Sequence, residues 1–204
     1  MEQTIIEVEI RAEVLPQKYE KTKKNLDKIG KLSSHTKRLS VMFFGEIGSK
    51  KIDIRVRVTN GECEVVVKSG SFGSHDRIEI SQKINQDQFI GMIKIFSQFG
   101  FNMKIGERET FNYTTQDGIT ISLVSADKIA YIELEKMSNK NKVEENRKQL
   151  LMFAKNLGLK ILNSEKEFDE LCNRLDINID WPFHATDKDY IKLSKIYNHY
   201  IKNP

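Results

Sequence analysis

Apolar and polar residues alternate with a period of two over most of the first two thirds of the chain. From Thr4 to Val14, Ile6, Val8 and Ile10 take one parity and Glu7, Glu9 and Arg11 the other. A strand puts residues i and i+2 on the same face, so this segment predicts a strand with one apolar and one charged face. Between Lys37 and Lys83 four more such runs follow: RLSVMFFGEI, KIDIRVRV, ECEVVVKS and RIEISQKI. They are separated by Gly48-Ser49, Asn60-Gly61 and the loop SGSFGSHD. Asn-Gly between two alternating runs predicts a tight hairpin. Three further strands are predicted in GERETFNYT, GITISLVS and IAYIELEKM, with Asp117-Gly118 as a turn.

The helical period appears elsewhere. Pro16 opens QKYEKTKKNLDKIG, in which Tyr19, Leu26 and Ile29 share a side and Gly30 suits the end. Asn85 and Gln88 are spaced as a capping box ahead of the stripe Phe89, Met92, Ile93 and Phe96. After the last strand the chain turns helical, with Val143, Leu150, Leu151, Ala154 and Leu157 along one face. EKEFDELCNRL and TDKDYIKLSKIYNHYI follow, on either side of Trp181-Pro182-Phe183. This is an α+β pattern. About eight strands suit a closed antiparallel barrel, which leaves no exposed edge.

Composition narrows the class. A length of 204 residues with no internal repeat or low-complexity linker suits one domain with a sizeable core. The balance of 33 Lys+Arg against 29 Asp+Glu, a net +4, is not that of a polybasic nucleic-acid arm. Two cysteines are too few for a disulfide framework or a zinc site, and the four histidines lack metal-ligand spacing. No apolar run is long enough for a membrane helix, and MEQTIIEVEI lacks the pattern of a secretory signal. A reduced, cytoplasmic protein with no membrane partner is expected.

The charges are sorted. Glu7, Glu9 and Arg11 share a face in the first strand; Asp53, Arg55 and Arg57 in KIDIRVRV. Lys68 shares a face with Glu62 and Glu64, Arg77 with Glu79, and Glu133 with Glu135. Two readings fit this pattern. The charged face is a solvated sheet face, as in most antiparallel sheets. Alternatively it lines an interior, with the apolar face outward under helices. The near absence of Ser, Thr and Gln from these faces favours the second, as does the separation of carboxylate strands from guanidinium strands. An interior of that kind needs a multiply charged ligand or mutual pairing. Carboxylates suit a hard divalent cation, and guanidinium forks suit phosphate.

Glu7-x-Glu9-x-Arg11 resembles the Glu-x-Glu-x-Lys motif of CYTH domains, the triphosphate tunnel metalloenzymes, with Arg in the third place. Further elements are similar in the same order: Arg55-x-Arg57, Val66-Val67-Lys68-Ser69-Gly70, Arg77-x-Glu79, Arg108-x-x-Phe111, Tyr131-Ile132-Glu133-Leu134-Glu135 and the helical EKEFDELC. The resemblance spans roughly residues 4 to 175. It departs at Gly106, where the family has Lys, and at Ser122-Leu123, where the family has Asp.

The resemblance implies an eight-stranded antiparallel closed barrel with helices outside. Residues 1–177 would form the tunnel domain and 178–204 a helical extension packed on it. Glu7, Glu9, Glu133 and Glu135 would be catalytic. Together with Glu79 they would hold Mg²⁺ or Mn²⁺. Arg11, Arg55, Arg57, Lys68, Arg77 and Arg108 would bind a small triphosphate-containing molecule. Metal-dependent hydrolysis of a triphosphate is the leading implication. Alternatives are an adenylyl cyclase of the tunnel type and a non-catalytic binding module for polyphosphate or nucleotide. The only nucleic-acid partner in scope is an RNA 5′ end, and the protein would be a monomer or homodimer. Removing one arginine from the basic row is expected to relieve like-charge repulsion and leave the fold at least as stable.

Overall fold

The computed structural model describes residues 5–69 and 78–202. In chain order the elements are β1 (Ile5–Val14), α1 (Tyr19–Ile29), β2 (Lys31–Ile47), β3 (Lys50–Thr59), β4 (Glu62–Ser69), β5 (Ile78–Ile84) and α2 (Phe89–Phe96). There follow β6 (Asn102–Thr114), β7 (Thr120–Ala126), β8 (Ile129–Asn139), α3 (Val143–Asn156), β9 (Lys160–Ile161), α4 (Glu165–Asn178), β10 (Trp181–Pro182) and α5 (Asp187–Lys202). The chain divides into two compact units, Met1–His35 with Glu109–Leu175 and Thr36–Arg108 with Asp176–Pro204.

In the first unit the hydrogen-bonded order runs β6-β7-β8-β1-β9, with neighbouring strands antiparallel. The apolar parity of these strands supplies Val8, Ile10, Ile121, Leu123, Ile132 and Leu134, all buried. Leu26 of α1 and Leu150 and Ala154 of α3 close over them in one hydrophobic cluster. Each such side chain withdrawn from water contributes about 1.5–3 kcal/mol. The helices therefore cover the apolar face, and the charged parity is left on the opposite face. Register aligns that face: Glu9 lies opposite Glu135, Arg11 opposite Glu133, and Glu133 opposite Ser122.

In the second unit the order is β5-β4-β3-β2-β6, with β10 paired to β6. Leu39, Val41, Phe43, Ile54, Val56 and Val58 pack with Phe89 and Ile93 of α2 and with Leu193 and Tyr197 of α5. The Phe89 and Tyr197 rings stack at 4.2 Å. The β3–β4 connection is the two-residue turn expected from Asn60-Gly61. Both residues have positive φ, 46° and 83°, as a turn matched to strand twist requires. The Gln88 side chain accepts from the Asn85 backbone N–H at 2.9 Å, so the expected capping box forms.

The α+β, antiparallel reading is met. Among the described residues the sheet has ten strands, two of them only two residues long, and its order ends at β5 and β9 without a pairing that returns. β2 begins at Lys31, well before the expected start near Arg38. Residues 31–37 are mostly exposed and carry no apolar alternation. Polar contacts hold this stretch instead: Ser33 Oγ donates to the Asn112 carbonyl at 3.0 Å, and Asn112 Nδ2 to Ser34 Oγ at 2.8 Å.

Candidate functional site

In the first unit, strands β1 and β8 bring together a group of carboxylates. Glu9, Glu133 and Glu135 each offer an oxygen, and these oxygens lie within 4.8 Å of one another. Strand parity and the register of β1 against β8 dictate this, because Glu9 and Glu135 are direct partners. Arg11 braces the group: its Nη2 reaches Glu9 Oε1 at 2.6 Å and its Nε reaches Glu133 Oε1 at 3.2 Å. The Phe168 ring of α4 lies 4.4 Å from the Arg11 guanidinium carbon. Burial, then the charges of Glu7, Glu133 and Glu9, push the Glu135 carboxyl up to about 7. Among these charges Glu7 acts most strongly on Glu135. Arg11, expected on substrate, thus stands among the carboxylates.

Glu13, two residues beyond Arg11 on the same face, behaves differently. It is buried, accepts from Arg174 at 2.7 Å and Lys160 at 3.3 Å, and is held below the usual carboxylate range by Arg174 first. It ties α4 and β9 to β1, and nothing in its surroundings calls for a metal.

In the second unit each expected cation among the described residues is engaged by a carboxylate. Arg55 grips Asp53 with Nε at 3.0 Å and Nη2 at 2.7 Å, and the Asp53 side chain is only 11% exposed. Arg57 Nε donates to Glu64 at 2.7 Å. Lys68 Nζ meets Glu79 Oε2 at 2.7 Å. Burial works to raise the Glu79 carboxyl, but Lys68, with Arg57 and Arg55, holds it below its ordinary value. Glu79, expected among the metal ligands, is therefore a partner of Lys68. These pairings argue against the expectation that losing an arginine relieves repulsion. A carboxylate balances each cation, so the loss would strip a mostly buried acid of its partner.

Arg108, expected on substrate, is held from the C-terminal segment. Its Nη1 and Nη2 meet Asp180 Oδ1 and Oδ2 at 2.7 and 2.9 Å in a two-point fork. Lys104, two residues before Gly106, pairs with Asp176. Gly106 explains the missing family lysine. A Cβ there would stand 2.5 Å from Asp180 Oδ1 and 2.9 Å from Arg108 Nη1. The missing family aspartate has an equally local account. Ser122 faces the same way as Glu133 and donates to Asn112 Oδ1 at 2.8 Å, in a neutral Ser34–Asn112–Ser122 chain. Arg77 lies outside the described residues.

Sequence reasoning passed over Arg38, which lies opposite Thr59 on the face of Arg57 and donates to Thr59 Oγ1 at 3.0 Å. The parity of Leu39, Val41 and Phe43 against Arg38 and Ser40 carried that signal. It also passed over Asp180, whose role depends on a pairing remote in sequence.

No protein-family model matches the chain, and no curated protein sequence matches it. Solved structures match in fold. The PH1819 protein of Pyrococcus horikoshii OT3 is 19% identical at a TM-score of 0.57, over 83% of this chain and 99% of that one. An adenylate cyclase candidate from Vibrio parahaemolyticus is 15% identical at 0.58, over 82% and 97%. HpAC1 from Hippeastrum, a candidate adenylyl cyclase with a dominant triphosphatase activity, is 15% identical at 0.53, over 83% and 96%. The chain thus shares its fold with these structures.

Proposed function

We propose that this chain is a metal-dependent triphosphatase acting on inorganic tripolyphosphate or a small organic triphosphate. The observation that carries the reading is the group Glu9, Glu133 and Glu135, each offering an oxygen within 4.8 Å of the others. Several carboxylates gathered around one guanidinium favour a hard cation, and Mg²⁺ or Mn²⁺ takes this donor set. When bound there, the cation supplies charge neutralisation at phosphoryl oxygens. The chain's own groups do the rest. Arg11 keeps Glu9 and Glu133 in place. A carboxylate of the group not occupied by metal orients water for in-line attack. Arg55, Arg57 and Lys68 exchange Asp53, Glu64 and Glu79 for phosphate oxygens, a swap between two kinds of anion that match the same donors. The reading carries with it the closed eight-stranded tunnel, a single domain over 1–177 with its extension, a cytoplasmic setting, and a monomer or homodimer.

HpAC1, with its dominant triphosphatase activity, supports ranking hydrolysis above cyclisation for this chain. Ser122 favours a second reading, a non-catalytic binding module, because the family's acid is replaced there by a neutral hydroxyl committed to Asn112. A screen with tripolyphosphate, ATP and thiamine triphosphate, with Mg²⁺ or Mn²⁺, separates these. Phosphate release is the expected outcome. Cyclic AMP from ATP would replace the hydrolase with a cyclase, and binding without turnover would leave the module.

A further inference from the structure

Arg108 and Asp180 form a two-point ion pair of the geometry an arginine offers to phosphate. The Asp180 side chain is 1% exposed and the Arg108 side chain 18%. The pair lies on the parity of β6 that carries Lys104, Gly106 and Arg108, which is the charged face. The segment that delivers Asp180 is built into the second unit. Trp181 and Pro182 pair with Ile105 and Lys104, and the Phe183 N–H donates to the Met103 carbonyl at 3.0 Å. Phe183 and Leu193 are buried in that unit's core. Tyr200 Oη donates to Glu107 Oε2 at 2.8 Å. Gly106 leaves the space that the Asp180 carboxylate fills.

We propose that Asp180 is a specificity-determining residue: a built-in carboxylate that permanently occupies the Arg108 fork and withdraws it from anion binding. This rests on the triphosphate reading of the site and refines it. The anion is bound by Arg55, Arg57 and Lys68, and the fork on β6 is closed to it. Anchoring distinguishes Asp180 from a displaceable plug. Strand pairing, a buried aromatic ring and a whole helix hold Asp180 in place, whereas Asp53, Glu64 and Glu79 sit on the same strands as their partners or on adjacent ones and swing out by rotamer changes alone.

Calorimetric titration with tripolyphosphate and with pyrophosphate tests this on the full chain. Asp180→Asn keeps the shape of the side chain and removes its charge, while β10 and α5 still hold the segment. It is expected to bind tripolyphosphate at least about tenfold more tightly than wild type, the scale of one charge-assisted two-point contact. The double variant Asp180→Asn, Arg108→Gln should return to wild-type affinity. No gain in Asp180→Asn, or a gain that survives loss of Arg108, would overturn the proposal. Should Asp180→Asn fail to fold, the wild type decides. Its Arg108 guanidinium resonances should be unmoved by saturating tripolyphosphate, and movement on the scale of a direct contact would overturn it. Absence of wild-type binding would sink the triphosphate reading instead. Arg108-dependent pyrophosphate binding gained in Asp180→Asn would still support the withdrawn fork.

Discussion

The two units solve the problem of a charged sheet face in opposite ways. In the second unit, charges are matched in place: Arg55 with Asp53, Arg57 with Glu64, Lys68 with Glu79, Arg108 with Asp180. In the first, Arg11 pairs with both Glu9 and Glu133, the charge of Glu7 adds to theirs, and Glu135 holds its proton up to about pH 7. A matched face is stable without ligand, and a ligand must compete with its internal carboxylates. A mismatched face is under repulsion until a cation or protons arrive. On the proposed reading, the metal requirement falls to the first unit. It also predicts that neutralising substitutions change stability with opposite sign in the two units.

The largest expected effect is on turnover. Glu133→Gln or Glu135→Gln should lower metal-dependent phosphate release by at least about a hundredfold, since each removes a ligand of a hard cation. In chelator, Glu135→Gln should melt higher than wild type at pH 8, because a neutral amide ends the repulsion with Glu7, Glu9 and Glu133. A lower melting temperature would remove the mismatch from the account.

Next comes the matched row. Arg55→Ala or Arg57→Ala should weaken tripolyphosphate binding about ten- to a hundredfold by calorimetry. Each should also destabilise the fold by about 2 kcal/mol, the scale of a hydrogen bond to a charged group. That lowers Tm by about 4–8 °C in a chain of this size. Unchanged melts would mean that Asp53 and Glu64 do not depend on their arginines.

The pH dependence is subtler. Glu135 titrates near 4.5 when unfolded and near 7 when folded, so between these values the folded state holds more protons. The stability that protonated Glu135 contributes is present in full below about pH 4.5 and lost by about pH 7. Wild type without metal should therefore lose stability relative to Glu135→Gln as pH rises through that window, measured by urea melts. An effect on stability alone is expected at Gly106. Gly106→Ala pushes a methyl group against Asp180 and Arg108 and should cost about 1–3 kcal/mol, the scale of overpacking.

Most of the sheet was legible because its strands obey period two: Ile52, Ile54, Val56 and Val58 against Asp53, Arg55 and Arg57 leave one register and one face. The acidic group was legible for the same reason, since Glu7, Glu9, Glu133 and Glu135 share parity within short runs. What escaped was set by distant partners. Residues 31–37 carry no alternation, yet β6 recruits them through Ser33, Ser34 and Asn112. β10 is two residues long and exists because β6 offers an edge at Ile105. The internal pairing of Arg55 with Asp53 was present in the sequence as an i, i+2 pair, but parity says that two side chains share a face, not that they grip each other. Arg108 carried a plausible substrate role from its motif; only the fold brings Asp180 to it across 72 residues.

Binding of Mn²⁺, followed by the loss of the free-ion electron paramagnetic resonance signal at pH 7, tests the central claim most directly. Saturable uptake by the wild type is expected, with release of protons from Glu135, and uptake severely weakened in Glu133→Gln and Glu135→Gln. No saturable uptake, or uptake equal in wild type and both variants, would contradict the assignment of these carboxylates as the metal site.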